Sequence, residues 1–134
     1  MLALVGGDLF VGDRAGAVSV FRAAANGNVT PVRRISGPKT GLGAVYGLGV
    51  DSSGHAYAVD YDSDQVLVFE PDTNGNVKPL RTLVGAATRL GSPMGLALDD
   101  RRTLRVASFE TSSVLTFDAL VPPAGPETGP QPGV

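Results

Sequence analysis

Residues 65–99 read QVLVFEPDTNGNVKPLRTLVGAATRLGSPMGLALD, and residues 17–51 match them 48 positions earlier. Without gaps, 16 of the 35 aligned positions are identical, whereas unrelated segments of ordinary composition would share about two. The same offset continues into a third copy, which begins at Gly95 and extends to Phe117. The chain is therefore a repeat protein with two copies and most of a third.

Each copy predicts four short strands. In the second copy they are the apolar stretches 47–51, 56–60, 65–70 and 78–84. Their Val, Leu, Tyr and Phe content and their length favour strands, and no stretch has the apolar spacing of an amphipathic helix. Asn74-Gly75 predicts a tight hairpin between the last two strands, since such turns need positive φ. Four strands in each 48-residue copy predict an all-β fold of β-propeller blades, each a four-stranded antiparallel meander.

The predicted domain boundaries follow the repeat. Blades are expected at about residues 1–42, 43–90 and 91–118, and residues 119–134 are expected to be a flexible Pro/Gly-rich tail. Closed propellers have about four to eight blades. Three blades therefore predict an incomplete propeller that is a piece of a longer one, a ring completed by a second copy, or an open arc.

Composition excludes several functional classes. The net charge of −2 argues against a strongly basic nucleic-acid module, and the lack of Cys excludes disulfides and Cys-ligated zinc. No apolar stretch is long enough to cross a membrane as a helix. The apolar start, Met1–Val5, is brief and lacks basic residues, so no signal peptide is expected. We expect neither nucleic-acid nor membrane partners, and the compartment stays unassigned.

The motif Gly95-Leu96-Ala97-Leu98-Asp99, a turn glycine and a Val-x-Val-Phe strand such as 66–69 resemble the NHL repeat. They also resemble the wider six-bladed TolB-like group, which includes gluconolactonase and regucalcin-like proteins. Stretches 21–42 and 69–90 are similar to tandem repeats of bacterial proteins that carry Asn-Gly-Asn-Val-x-Pro-x-Arg. The resemblance covers about residues 1–118.

The resemblance implies a partial NHL-like propeller with one of two functions. The favoured one is a non-catalytic binding or scaffold module that contacts a protein or a carbohydrate through its blade loops. The alternative is a fragment of a metal-dependent lactonase-like or other hydrolase, whose ligands lie in blades outside this chain. The first is favoured because no complete set of acidic or Asn ligands faces the predicted axis from separate blades.

One loop carries alternating carboxylates. Asp60, Asp62 and Asp64 lie in the sequence DYDSD between the second and third strands of the second copy. Carboxylate oxygens suit Ca²⁺, so this loop is a weak calcium candidate. It is not an EF-hand, because Gln65 and Pro71 stand where that motif has Gly and Glu.

The same loop is the predicted binding surface. Tyr46 and Tyr61 are grouped with its three Asp residues, because Tyr is enriched at binding interfaces. His55 is the only His, and we expect it to be an exposed turn residue rather than part of a catalytic triad. No catalytic residue is predicted.

Overall fold

The computed structural model describes residues 1–121, which form three antiparallel sheets. The predicted tail at 119–134 lies outside the described residues apart from its first three. The first sheet is β1 (Leu2–Val5), β2 (Asp8–Gly12), β3 (Ala17–Arg22) and β4 (Arg33–Ser36). The second is β5 (Val45–Val50), β6 (Ala56–Asp60), β7 (Gln65–Phe69) and β8 (Arg81–Leu83). The third is β9 (Pro93–Leu98), β10 (Leu104–Ser108) and β11 (Ser113–Phe117).

Each sheet is a meander whose strands pair in chain order, which confirms the predicted all-β propeller blades. Short 3-10 turns at Pro38–Thr40 and Ala86–Thr88 lead from one blade to the next. The innermost strands are in close contact, because a methyl group on Gly47 would lie 2.9 Å from Cα of Gly95. Small residues on the first strands of the second and third blades thus permit the backbones to approach.

Two apolar cores lie between the three blades. The first joins Phe10, Val18 and Ile35 to Leu67 and Phe69 of the second blade. The second joins another set of second-blade residues to the third blade: Tyr57, Val59, Val66 and Val68 against Leu104 and Val106. The middle sheet is therefore covered on both faces, and all five residues of β6 are buried. Burial of both faces explains its nearly continuous apolar sequence.

The predicted Asn74-Gly75 hairpin is wrong. β7 ends at Phe69 and β8 begins at Arg81, so a longer loop joins them. Only Gly75 of the pair has positive φ, at 92°. A two-residue hairpin of the expected type needs positive φ at both positions.

Instead, this loop forms hydrogen bonds with the outer strand of the preceding blade. Gly75 donates its amide to the Arg34 carbonyl at 2.7 Å, and Asn74 Oδ1 accepts the Arg34 amide at 3.0 Å. Asn76 Oδ1 accepts the Lys39 amide at 2.8 Å. The Asn-Gly-Asn motif therefore satisfies edge groups of a neighbouring blade, which a reading of local turn chemistry could not reveal.

Candidate functional site

The loops that connect second and third strands lie at one end of all three blades, because the blades share one meander topology. These loops are residues 13–16, 61–64 and 109–112, and the links between blades, 37–44 and 84–92, end there too. We call this end the loop face. All predicted site residues lie on it: Tyr46, Asp60, Tyr61, Asp62 and Asp64.

The two predicted tyrosines are in contact. The rings of Tyr46 and Tyr61 stack with centroids 4.5 Å apart and an interplanar angle of 23°. The Arg14 guanidinium, from the first blade, lies 5.5 Å from the Tyr46 centroid. Stacked rings and a cation over an aromatic face are each favourable at a partly exposed site. A half-buried aromatic platform therefore spans the first and second blades.

Met94 and Phe109 occupy the equivalent positions of the third blade on the loop face, and the sequence-based site did not include them. They stand 48 positions after Tyr46 and Tyr61, and Phe109 is 65% exposed. Both line an open groove of about 400 Å³. The repeat offset was the signal that could have found them. We name Arg14, Tyr46, Tyr61, Met94 and Phe109 the loop-face arc.

Asp60 is a structural turn residue in this geometry. Its side chain is fully buried, and its Oδ2 accepts bonds from the Gly43 amide and from Gln65 Nε2, both at 2.9 Å. Its Oδ1 accepts the amides of Asp62 and Ser63 at 3.0 and 3.3 Å. Four donors thus occupy the carboxylate and hold the loop against the preceding link.

The other two candidate carboxylates do not join Asp60 in one cluster. Asp64 Oδ1 accepts the Ser92 amide at 2.7 Å and so ties the second blade to the third. Asp62 is exposed. Within residues 1–121, no three Asp, Glu or His side chains converge as a metal site would require. The geometry lends no support to the calcium hypothesis, which remains a prediction.

The prediction that His55 is an exposed turn residue is wrong. Its side chain is buried, and Nδ1 lies 3.0 Å from Asp51 Oδ2. The same oxygen lies 3.2 Å from Nε of the buried Arg102 and accepts the Tyr57 hydroxyl at 3.3 Å. Arg102 also donates to the hydroxyl of Ser53. Because Arg102 belongs to the third blade, this polar network joins two blades.

The network shifts the pKa of two of its members. Burial opposes ionisation of Asp51, but bonds from the His55 backbone and ring and from the Ser53 amide outweigh it. The pKa of Asp51 therefore falls below its usual 3.8. Burial, the Asp51 charge and the bond to that carboxylate together raise the pKa of Tyr57 to about 12. These shifts fit a neutral Tyr and an ionised Asp that hold the blades together.

Comparisons with known proteins identify the fold. No protein-family model and no curated protein match the sequence. The WD40 β-propeller domain of Doa1 is similar in structure, with a TM-score of 0.67 and 14% identity over 88% of this chain. The β-propeller domain of Myceliophteria thermophila Cps50 (Swd1) has a TM-score of 0.65 and 14% identity over 90% of the chain. The RRP9 WD40 repeats give 0.58 and 22% over 87%.

These similarities show that the chain has the fold of a partial β-propeller. It covers 36% of each of the three structures, so it spans about a third of their length. At such identities the likeness concerns the fold alone. The three are WD40 propellers or β-propeller domains, and they give no support to the more specific NHL and TolB-like type. Among the described residues, no helix has the length and apolar character needed to cross a membrane.

Proposed function

We propose that the chain is a non-catalytic scaffold that binds a protein through the loop-face arc. The observation that carries this proposal is the recurrence of large, accessible side chains at equivalent loop positions. Tyr61 and Phe109 are one repeat apart, as are Tyr46 and Met94. The loop face of each of the three blades thus contributes at least one large side chain, with Arg14 on the first blade.

The chemistry of the arc favours a peptide partner. Aromatic residues, Met and Arg are enriched at protein interfaces, and hot spots favour Tyr, Trp and Arg. Phe109 and Met94 offer apolar area without a polar group, which suits apolar side chains of a peptide better than hydroxyl groups of a sugar. The carboxylates beside the arc, Asp60 and Asp64, are bonded to backbone amides and hold the loops in place.

The partial propeller fold supports a scaffold role, because rigid blades position the loops that carry the contact residues. Fold alone does not determine function, so the residues of the arc carry the proposal. The finer predictions from the sequence remain open proposals with less support: an NHL-like type, a carbohydrate ligand, and the alternative of a hydrolase fragment.

The proposal is tested by selecting peptides that bind the purified chain from a random library. Selected peptides should bind the wild-type chain in a titration. Their affinity should fall at least tenfold with Tyr61→Ala or Phe109→Ala, since removal of an aromatic anchor costs about 2 kcal/mol or more. Leu80→Ala is the matched control, because Leu80 is an exposed apolar residue in a loop at the opposite end of the second blade.

Two outcomes would contradict the proposal. In the first, repeated selections yield no binder. In the second, binders are equally sensitive to Leu80→Ala and to the arc variants. A parallel titration with oligosaccharides decides between peptide and sugar, because sugar binding that depends on Tyr46 and Tyr61 would replace the protein partner with a carbohydrate.

A further inference from the structure

The two end blades each leave one face uncovered. In the third blade, burial alternates along β10, where Arg105 and Ala107 are exposed between buried neighbours. In the first blade, Leu2 and Leu4 are 62% and 66% exposed. The alternation shows sheets covered on one side only, whereas the middle sheet is covered on both.

Two surfaces follow from the strand register. The first-blade face carries the residues that point away from the first core: Leu2, Leu4, Leu9, Val11, Phe21, Ser19 and Arg34. The third-blade face carries those that point away from the second core: Gly95, Ala97, Arg105, Ala107, Val114 and Thr116. The first surface has five large apolar side chains beside the bonded polar pair Ser19 and Arg34, and the second has mostly small side chains.

The two internal junctions show how such faces meet. At the first, a methyl group on Gly12 would overlap the side chain of Val45 and would lie 3.8 Å from Cδ2 of Leu48. At the second, Cδ1 of Leu96 would lie 2.6 Å from a methyl group on Gly49. In both cases a Leu on the first strand of one blade packs over a small residue of the blade before it.

The register places Leu2 at the same position as those two leucines. Each of these leucines pairs with a residue of the second strand, which in turn pairs with a residue of the third strand. The third-strand residues reached from Leu2, Leu48 and Leu96 are Ser19, Leu67 and Leu115, which are 48 positions apart. By the same rule, Ala97 is equivalent to Gly49, and Ala107 to Gly12. The third-blade face thus has small residues where a following Leu would pack, and they line a shallow groove of about 430 Å³.

We propose that the first-blade face of a second copy of this chain docks on the third-blade face, so that Leu2 packs over Ala97 and Ala107. The joint repeats the packing of Leu96 over Gly49 at the second internal junction. The only charged side chain on the third-blade face as defined above is Arg105, which lies 3.5 Å from Asp99, and the two form a polar rim beside the apolar contact. Two such joints related by a two-fold axis close a ring of six blades, within the range of known propellers.

The proposal is tested by light scattering of the purified chain at micromolar concentration. The wild-type chain should have twice the 13.7 kDa mass of one copy. Leu2→Asp and Ala107→Glu should each reduce the mass to that of one copy, because each places a charge in the joint. Both residues are exposed in the single chain, so circular dichroism and the urea midpoint should remain those of the wild type. Val84→Asp, at an exposed residue of the middle blade, is the control and should leave the dimer intact.

A mixing experiment distinguishes this joint from a symmetric contact. The Leu2→Asp chain keeps its third-blade face, and the Ala107→Glu chain keeps its first-blade face. An equal mixture should therefore form a one-to-one dimer although neither variant associates alone. A monomeric wild type, a dimer insensitive to Ala107→Glu, or variants that stay apart when mixed would overturn the proposal. A ladder of larger species would overturn the two-copy ring. Met94 and Phe109 of the arc share a groove with Ala107 and Val114 of the joint, so the mass is measured without peptide.

Discussion

Replacement of Asp51 by Asn should destabilise the junction between the second and third blades. We expect this change to lower the unfolding free energy more than any other single polar substitution in the junction. Asp51 Oδ1 accepts the backbone amides of Ser53 and His55 at 2.9 and 3.0 Å. Its Oδ2 lies 3.2 Å from Nε of Arg102. Asn keeps the shape of the side chain and can still accept the amides, but it lacks the negative charge that compensates Arg102.

The expected loss of unfolding free energy is large because Arg102 is buried. Removal of one partner of a buried ion pair typically costs about 3–5 kcal/mol, since the other charge stays in a poorly solvated place. The Ser53 hydroxyl and the polar atoms of Tyr57 offset part of this cost. We therefore expect a loss of about 2–4 kcal/mol for Asp51→Asn.

Asp99→Asn is the matched control. Asp99 caps the equivalent turn of the third blade and accepts the amides of Arg101 and Thr103 at 2.8 and 3.0 Å. Its ion pair with Arg105 is exposed, and exposed pairs contribute little to stability. The backbone contacts are alike, so the comparison isolates the buried side-chain contacts of Asp51 with His55, Tyr57 and Arg102.

The assay is urea unfolding followed by circular dichroism, with hydrogen exchange to locate the loss. Amides of β6 and β10, on either side of the junction, should exchange faster in Asp51→Asn, whereas those of β2 should change less. Equal losses for Asp51→Asn and Asp99→Asn would refute the reasoning. Faster exchange spread evenly over all three blades would refute the local role of the ion pair.

Three further predictions follow from contacts between blades. Asn76→Ala should destabilise the chain by about 0.5–1.5 kcal/mol in urea unfolding through loss of a hydrogen bond, whereas Asn28→Ala, in the identical motif of the first blade, should change little. Gly47→Ala should cost about 1–3 kcal/mol by overpacking and lower the melting temperature, whereas Gly95→Ala, whose added methyl group meets nothing within 4 Å, should be nearly neutral. Because folding raises the pKa of Tyr57 from 10 to about 12, the folded state binds more protons between these values. Stability should therefore fall as pH rises through that range, and this fall should be smaller in Tyr57→Phe.

The repeat made the blade predictable, because each strand occurs at a known offset and its neighbours carry turn residues. The bounds of β6 agree with the prediction at both ends, whereas β8 begins three residues late. Contacts between distant residues could not be predicted from the sequence. Asn74 follows the local chemistry of a hairpin but bonds to Arg34 of another blade, and His55 follows a turn glycine but is buried against Asp51.

Only part of the candidate site was predicted from the sequence. Tyr46 and Tyr61 belong to the second copy and drew attention together with the acidic loop. Met94 and Phe109 are not Tyr, and no alternating carboxylates like those of residues 60–64 accompany them. A search by residue type therefore did not find them. Equivalence under the 48-residue offset is the more general guide, since it compares position rather than chemistry.

The same comparison of equivalent positions distinguishes two kinds of exposed surface. Some residues are exposed in every blade, and others are exposed only where no neighbouring blade covers them. Val114 is 68% exposed, but its equivalent Val66 is completely buried where a following blade covers it. Its exposure therefore reflects the uncovered third-blade face, and docking of another blade would remove it. Tyr61 remains accessible in the middle blade, which has neighbours on both sides, and its equivalent Phe109 is accessible at the end. A further blade would thus bury the third-blade face and leave Tyr61 unchanged. It would partly cover Met94 and Phe109, which share a groove with Ala107 and Val114, and make them half-buried like their equivalents Tyr46 and Tyr61.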